Sequence, residues 1–307
     1  MSAALALPRG FERAEFEARL SAAQARMATE GLGALLLTTE PEVRYFTGYL
    51  TRFWESPSRP WFLVVPASGL PIAVIPSIGA ELMGRTWVED IRTWAAPCPK
   101  DDGVSLLADT LREVGGPVGV PMGYETHLRM PLADYMALQA TSGLEFRDDV
   151  GIVAGLRAIK SEAEIGKIRA ACAIATRAYD RMGEIAGEGV PLSAVFRGFQ
   201  RLLLEEGADW VPYISGGAAQ GGYGDVISPA SDAPLALGDV MMLDTGAVRD
   251  GYFCDFDRNF AVGAPSAEVR AAHARLIEAT AAGFAAAQPG ARACDVFATM
   301  AAVAGGG

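Results

Sequence analysis

Residues 244–258 read DTGAVRDGYFCDFDR, and they constrain the fold more than any other stretch of the chain. Asp250-Gly251 is a strong turn signal, because glycine accepts the positive φ that a tight hairpin needs. The segments VMMLDT and YFCDFDRNF on either side are the predicted strands. The stretch therefore predicts an antiparallel hairpin with its turn at residues 249–251.

Besides Asp250 in the turn, three aspartates lie on the predicted strands of this hairpin, Asp244, Asp255 and Asp257. Asp244 lies opposite either Asp255 or Asp257, and both registers put all three carboxylates on one face, because strand side chains alternate with a period of two. Carboxylates that face one another repel unless a cation or a proton lies between them. Two interpretations follow, a solvated hairpin face or a site for hard divalent cations, which take oxygen ligands. Neighbouring apolar residues favour the metal site, since buried unpaired carboxylates are costly.

Composition indicates which binding partners and which cellular compartment to expect. The 307-residue chain has a formal net charge of −11, which argues against nucleic acid or an anionic membrane as a partner. No apolar run approaches the roughly 20 residues of a membrane helix. The N-terminus has no basic segment, so no signal peptide is predicted, and scattered cysteines without a CxxC pair predict reduced thiols in a cytoplasm. His127 is interpreted as structural and His273 as a surface residue, which leaves little for a histidine-based metal site or a Ser-His-Asp triad.

The order of elements predicts an α/β chain of two domains. Over the first half, helices and short strands are mixed, with strands at ALLLTT, WFLVVP, PIAVIP, DIRTW, PVGVPM and LEFRDD. A capping box at Ser161 and Glu164 begins a long amphipathic helix, and a second helix follows over 192–206. A loop to about residue 234, the hairpin and two more helices complete this half. Four helices and one hairpin leave the hairpin without sheet partners, so we expect the chain to end before the domain is complete.

The hairpin resembles the metal-binding hairpin of the pita-bread metallohydrolases, the M24 peptidase family, which includes Xaa-Pro aminopeptidases, prolidases, methionine aminopeptidases and the non-peptidase creatinase. The family pattern of Asp-x-Gly, Gly-Tyr and Asp-x-x-Arg is matched at Asp244, Gly246, Gly251, Tyr252, Asp255 and Arg258. The stretches LRAIKSEAEIGKIRAACAIA, EVRYFTGY and SRPWFLVVP are similar to the creatinase/prolidase branch. The resemblance implies a creatinase-like N-terminal domain with a mixed sheet over residues 1–156, followed by a truncated pita-bread catalytic domain over residues 157–307.

The resemblance also implies a cofactor and an activity. Family members hold two divalent metal ions, usually manganese, cobalt, zinc or iron, with Asp, Asp, His, Glu and Glu, and manganese is the expected metal here. Asp244 and Asp255 match the first two ligands, and residues 259–307 match none of the other three. The implied activity is hydrolysis of amide or peptide C–N bonds in small peptides, as in Xaa-Pro peptidases. Alternatives are a creatinase-like hydrolase of a small non-peptide substrate and a catalytically silent binding protein.

Two further stretches bear on the substrate. The family histidine that normally precedes the first aspartate has no counterpart near Ile227; either Tyr223 or Asp225 replaces it, or the loop has lost this role. In creatinase-like dimers the region matching LTRFWESPSRPWF reaches the partner's active site, which implies a homodimer and substrate-binding roles for Arg59 and Trp54. An arginine there can hold a carboxylate with two parallel hydrogen bonds. The alternative is a solvated loop before a strand.

Overall fold

The computed structural model of the protein describes residues 8–56 and 59–305. The chain divides into two compact units, an N-terminal unit, Pro8–Ile165, and a C-terminal unit that begins at Gly166. The domain boundary predicted after residue 156 stays a prediction.

The N-terminal unit is built on a mixed sheet, as predicted. Its described strands are β1 Ala34–Leu37, β2 Phe62–Pro66, β3 Ile72–Pro76, β4 Asp90–Trp94, β5 Val118–Val120 and β6 Phe146–Asp148. They lie in the order β4-β3-β2-β1-β5-β6. β2 is antiparallel to both β1 and β3, whereas β4, β5 and β6 join the sheet through parallel pairs. Every residue of β1, β2 and β3 is buried, which explains why these strands read as continuous apolar runs.

Helices cover both faces of this sheet. They are α1 Arg13–Glu30, α2 Glu40–Thr47, α3 Ala80–Met83, α4 Val104–Val114, α5 Leu132–Ser142 and α6 Ile152–Ala158. Leu35 and Leu37 of β1 belong to an apolar cluster that includes residues of α1 and α6. Leu36 belongs to a second cluster with Leu107 and Leu111 of α4. Alternate residues of one strand therefore serve two cores, as the strand period of two requires.

The C-terminal unit combines helices with a small antiparallel sheet. Its described helices are α7 Glu162–Asp180, which begins just before the unit, α8 Leu192–Glu205, α9 Ala267–Ala286 and α10 Ala293–Ala304. Its described strands are β7 Ile214–Gln220, β8 Asp239–Thr245, β9 Val248–Arg249, β10 Tyr252–Phe253 and β11 Phe256–Ala261. β8 is the middle strand of a sheet ordered β11-β8-β7, and β9 and β10 form a separate pair.

The expectation that the hairpin has no sheet partner is wrong. β7 pairs antiparallel with β8 over the whole length of both strands. Its sequence, ISGGAAQ, contains a single β-branched residue and therefore carries no strand pattern. The strand instead depends on close backbone approach: a Cβ at Gly216 would lie 2.2 Å from the Met242 carbonyl oxygen, and one at Gly217 would lie 2.2 Å from that of Asp225. Glycine is thus a structural requirement of β7.

Helices α7 and α8 cover one face of this sheet. Leu243 of β8 and Phe199 of α8 belong to one buried cluster. Tyr179 of α7 lies in the same cluster, and its hydroxyl is 2.9 Å from the Leu243 carbonyl oxygen and 3.0 Å from that of Phe256. Because side chains alternate along a strand, the neighbouring Asp244 projects from the opposite face.

None of the helices in the described part of the chain is long and apolar enough to cross a membrane. Residues 1–7, on which the interpretation of the N-terminus rests, lie outside the described residues.

Candidate metal centre

The turn at the tip of the hairpin is the one that the sequence predicts. Asp250 and Gly251 both have positive φ, 52° and 78°, which is the signature of a two-residue type I′ turn. β9 and β10 pair on either side of it. Further from the turn, β8 and β11 pair so that Asp244 lies directly opposite Asp257. Of the two registers that the sequence allows, the structure therefore has the one with Asp257 opposite Asp244. Asp255 lies just before β11.

Gly246 allows the two sides of the hairpin to come into backbone contact between the β8–β11 pair and the β9–β10 pair. A Cβ at Gly246 would lie 1.6 Å from the carbonyl oxygen of Cys254, so no other residue fits this backbone. The Ala247 N–H also donates to Cys254 Sγ at 3.4 Å. This close contact holds Asp255, the next residue, against the end of the strand that carries Asp244.

Tyr213 connects the two aspartates. Its hydroxyl lies 3.0 Å from Oδ1 of Asp244 and within hydrogen-bonding distance of Oδ1 of Asp255. The Thr245 hydroxyl donates to the Tyr213 carbonyl oxygen at 2.5 Å and so fixes the residue at the start of β7. The two carboxylates therefore converge on one oxygen atom. Sequence reasoning missed Tyr213, because it lies 31 residues before Asp244 and no local pattern marks it.

The electrostatics of the cluster favour a positive charge. Burial raises the pKa of Asp244, and the charges of Asp257 and Asp255 raise it further, against the hydrogen bond from Tyr213. Burial, together with the hydrogen bonds to Asp255 and Asp244, also raises the pKa of Tyr213. Each shift disfavours further negative charge at this position. A cation held between the carboxylates would relieve that repulsion.

The aspartate pair fits part of the metal site that the resemblance implies. Two carboxylates that meet at one oxygen are suitable donors for hard divalent ions, and such a pair can bridge two of them. Among the residues that the structure describes, no group of three or more His, Cys, Asp or Glu side chains has the arrangement of a metal site. Asp244 and Asp255 are thus two ligands of the expected type, and Asp257 does not complete a third position with them.

Tyr223 and Asp225, the candidates to replace the family histidine near Ile227, both form hydrogen bonds with other residues. Ile227 is 87% exposed. The carboxylate of Asp225 accepts hydrogen bonds from the backbone N–H groups of Ile227 and Ser228, at 3.0 and 3.2 Å, so it stabilises its own loop. The Tyr223 hydroxyl donates to Asn259 Oδ1 at 2.8 Å and is thereby attached to β11.

Trp54 and Arg59 lie in the N-terminal unit, close together in one loop. Trp54 belongs to a short 3-10 helix and is 7% exposed, and its Nε1 has no hydrogen-bond partner in the part of the chain that the structure describes. Arg59 is half-buried, its Nε is unpaired among residues 8–56 and 59–305, and its guanidinium lies 5.7 Å from the centre of the Phe53 ring. Arg129 supports the loop by donating to the carbonyl oxygens of Trp54 and Arg59, both at 2.8 Å. The loop is therefore partly packed and more than a solvated connection.

The N-terminal unit has a mixed sheet, and the C-terminal unit has paired aspartates on an antiparallel hairpin that is covered by helices. This combination is typical of the creatinase- and prolidase-like metallohydrolases. Comparison with protein families agrees: residues 166–306 match metallopeptidase family M24, and residues 19–159 match the creatinase/prolidase N-terminal domain. Residues 166–306 therefore form an M24 metallopeptidase domain, and the unit before them is a creatinase/prolidase N-terminal domain.

Relatives with peptidase names cover most of the chain. The Mycobacterium tuberculosis protein named "Probable dipeptidase PepE" is 28% identical over 300 residues, which are 94% of this chain and 75% of that protein. The Xaa-Pro dipeptidase of Pyrococcus horikoshii is 24% identical over 266 residues, covering 86% and 70% of the two chains. The crystal structure of dipeptidase PepE from Mycobacterium ulcerans superimposes with a TM-score of 0.77 at 25% identity, covering 96% of this chain and 77% of that one.

Proposed function

We propose that the protein is a metal-dependent hydrolase of peptide bonds in small peptides, of the dipeptidase or Xaa-Pro dipeptidase type. The observation that carries this proposal is the convergence of Asp244 and Asp255 on the Tyr213 hydroxyl, on a hairpin that matches family M24. The names of the relatives support a peptide substrate.

Each residue of the cluster has a role in this proposal. Asp244 and Asp255 would hold the divalent ions that family membership implies, and these ions would activate the scissile carbonyl and water as Lewis acids. Tyr213 orients both carboxylates through its hydroxyl. Asp257, directly across from Asp244, adds negative potential that attracts cations to this face.

Arg59 and Trp54 are proposed to bind the substrate carboxylate. The Nε atom of Arg59 and the indole Nε1 of Trp54 are buried donors with no partner among the described residues, and such donors are stabilised when an acceptor reaches them. A small peptide with a free carboxylate provides that acceptor. The proposal also includes two manganese ions as the cofactor and a homodimer as the assembly. A cytoplasmic location is proposed as well, and the four free cysteines support it.

The proposal is tested with a substrate panel. The full chain is assayed in millimolar manganese, and after chelation, against Xaa-Pro dipeptides, other dipeptides, amidated dipeptides and small non-peptide amides and amidines. We expect manganese-dependent hydrolysis of dipeptides, weaker hydrolysis of the amidated forms, and loss of activity in Asp244→Asn. Turnover of non-peptide substrates alone would replace the peptidase assignment, and metal-independent turnover would overturn the role of the aspartates.

A further inference from the structure

Four charged side chains surround the turn that precedes Asp255. Lys167 of α7 is only 6% exposed, and its Nζ forms an ion pair with Oδ2 of Asp250, whose side chain is 11% exposed. Asp209 and Arg249 lie next to this pair, with their charged groups 3.9 Å apart. A buried ion pair contributes little net stability, because desolvation of both ions offsets their attraction. The contribution of this ion pair is to hold the hairpin turn in one position relative to α7.

The same charges fix the backbone of the turn. The Asp250 N–H donates to Oδ2 of Asp209 at 2.6 Å. Two backbone hydrogen bonds, from Asp209 N–H to the Val248 oxygen at 2.7 Å and from Val248 N–H to the Trp210 oxygen at 3.1 Å, join the segment before Tyr213 to the hairpin. A positive φ is unfavourable for a residue with a Cβ, so the conformation of Asp250 depends on these contacts.

The position of the turn affects both Asp255 and Tyr213. On one side, its short β9–β10 ladder leads directly into the close contact of Gly246 with Cys254, which places Asp255. On the other side, Asp209 leads into the segment that carries Tyr213, whose hydroxyl meets Asp244 and Asp255. A displacement of the turn would therefore change the separation of the two carboxylates.

We infer that Lys167 is a positioning residue, which fixes the hairpin turn through its buried ion pair with Asp250 and thereby sets the Asp244–Asp255 separation that binds metal. The metal part of this inference rests on the proposed function. The part that concerns the turn stands on the contacts alone, so the two can fail separately.

The test compares Lys167→Met with Arg177→Met in the full chain. Arg177 lies on the same helix and forms a more exposed ion pair, 2.7 Å from Glu206, which is outside the hairpin sequence. Hydrogen exchange is followed in peptides that cover residues 247–254, and manganese binding is followed by the electron paramagnetic resonance of free Mn²⁺. We expect Lys167→Met to exchange about tenfold faster in this segment and to bind manganese about tenfold more weakly. Arg177→Met should stay within twofold of the unsubstituted protein in both.

Two outcomes overturn the inference: unchanged exchange and affinity in Lys167→Met, or equal changes in both variants, which would indicate general destabilisation. If Lys167→Met does not fold, the double variant Lys167→Met/Asp250→Asn removes the uncompensated buried charge and must show the same faster exchange. If the unsubstituted protein binds no manganese, the proposed function fails, and hydrogen exchange alone decides the role of Lys167.

Discussion

At the scale of single residues, the site depends on the lack of a side chain at Gly246. We expect Gly246→Ala to lower the free energy of unfolding by about 1–3 kcal/mol, because the new Cβ would overlap the Cys254 carbonyl oxygen and force the two chains apart. Gly222→Ala is the matched control, since a Cβ there would meet no atom within 4 Å. Chemical denaturation of both variants measures the difference. Equal stability of the two would show that the backbone contact is not as close as the structure has it.

The sequence predicts those site residues that lie in one continuous stretch. A turn signal and the strand period of two place Asp244, Asp255 and Asp257 together, and the resemblance to family M24 selects Asp244 and Asp255 as the expected metal ligands. Register was left open, since either pairing of a hairpin keeps the same side chains on one face. Tyr213 and Lys167 were missed because their contacts to the hairpin span 31 to 83 residues and depend on tertiary packing.

At the scale of elements, Tyr179 attaches α7 to both strands that carry the aspartates. Tyr179→Phe keeps the ring in the core but leaves the carbonyl oxygens of Leu243 and Phe256, which share this donor, without it. We therefore expect a loss of about 1–3 kcal/mol in the free energy of unfolding. Tyr124→Phe, at a position that is 93% exposed, should be neutral in the same denaturation experiment. A Tyr179→Phe variant as stable as this control would contradict the bridging role.

Elements with a clear pattern were predicted, and elements without one were not. The strands β1, β2, β3 and β5 follow apolar runs, and the capping box at Ser161 and Glu164 is confirmed, with reciprocal hydrogen bonds of 2.8 and 3.2 Å. The short helix α2 was missed, although Thr39 and Glu42 form a second capping box at its start, because eight residues are too few to show a helical period. β7 was missed because glycines replace the usual strand residues.

At the scale of the whole molecule, ligand number limits metal affinity. Two carboxylates leave most coordination positions of a divalent ion to water. We therefore expect the 307-residue chain to bind manganese more weakly than about 1 μM. Isothermal titration calorimetry in the absence of chelator gives the value. Sub-micromolar binding would show that further ligands join Asp244 and Asp255.

The most direct measurement compares manganese binding by Asp255→Asn and Asp257→Asn. Both substitutions keep the shape of the side chain and remove one negative charge from the same hairpin. Because only Asp255 shares the Tyr213 hydroxyl with Asp244, we expect Asp255→Asn to abolish measurable binding and hydrolysis, and Asp257→Asn to weaken them by no more than the loss of one nearby charge. Full manganese binding and activity in Asp255→Asn would contradict the metal centre, and the reverse ranking of the two variants would assign the ligand role to Asp257.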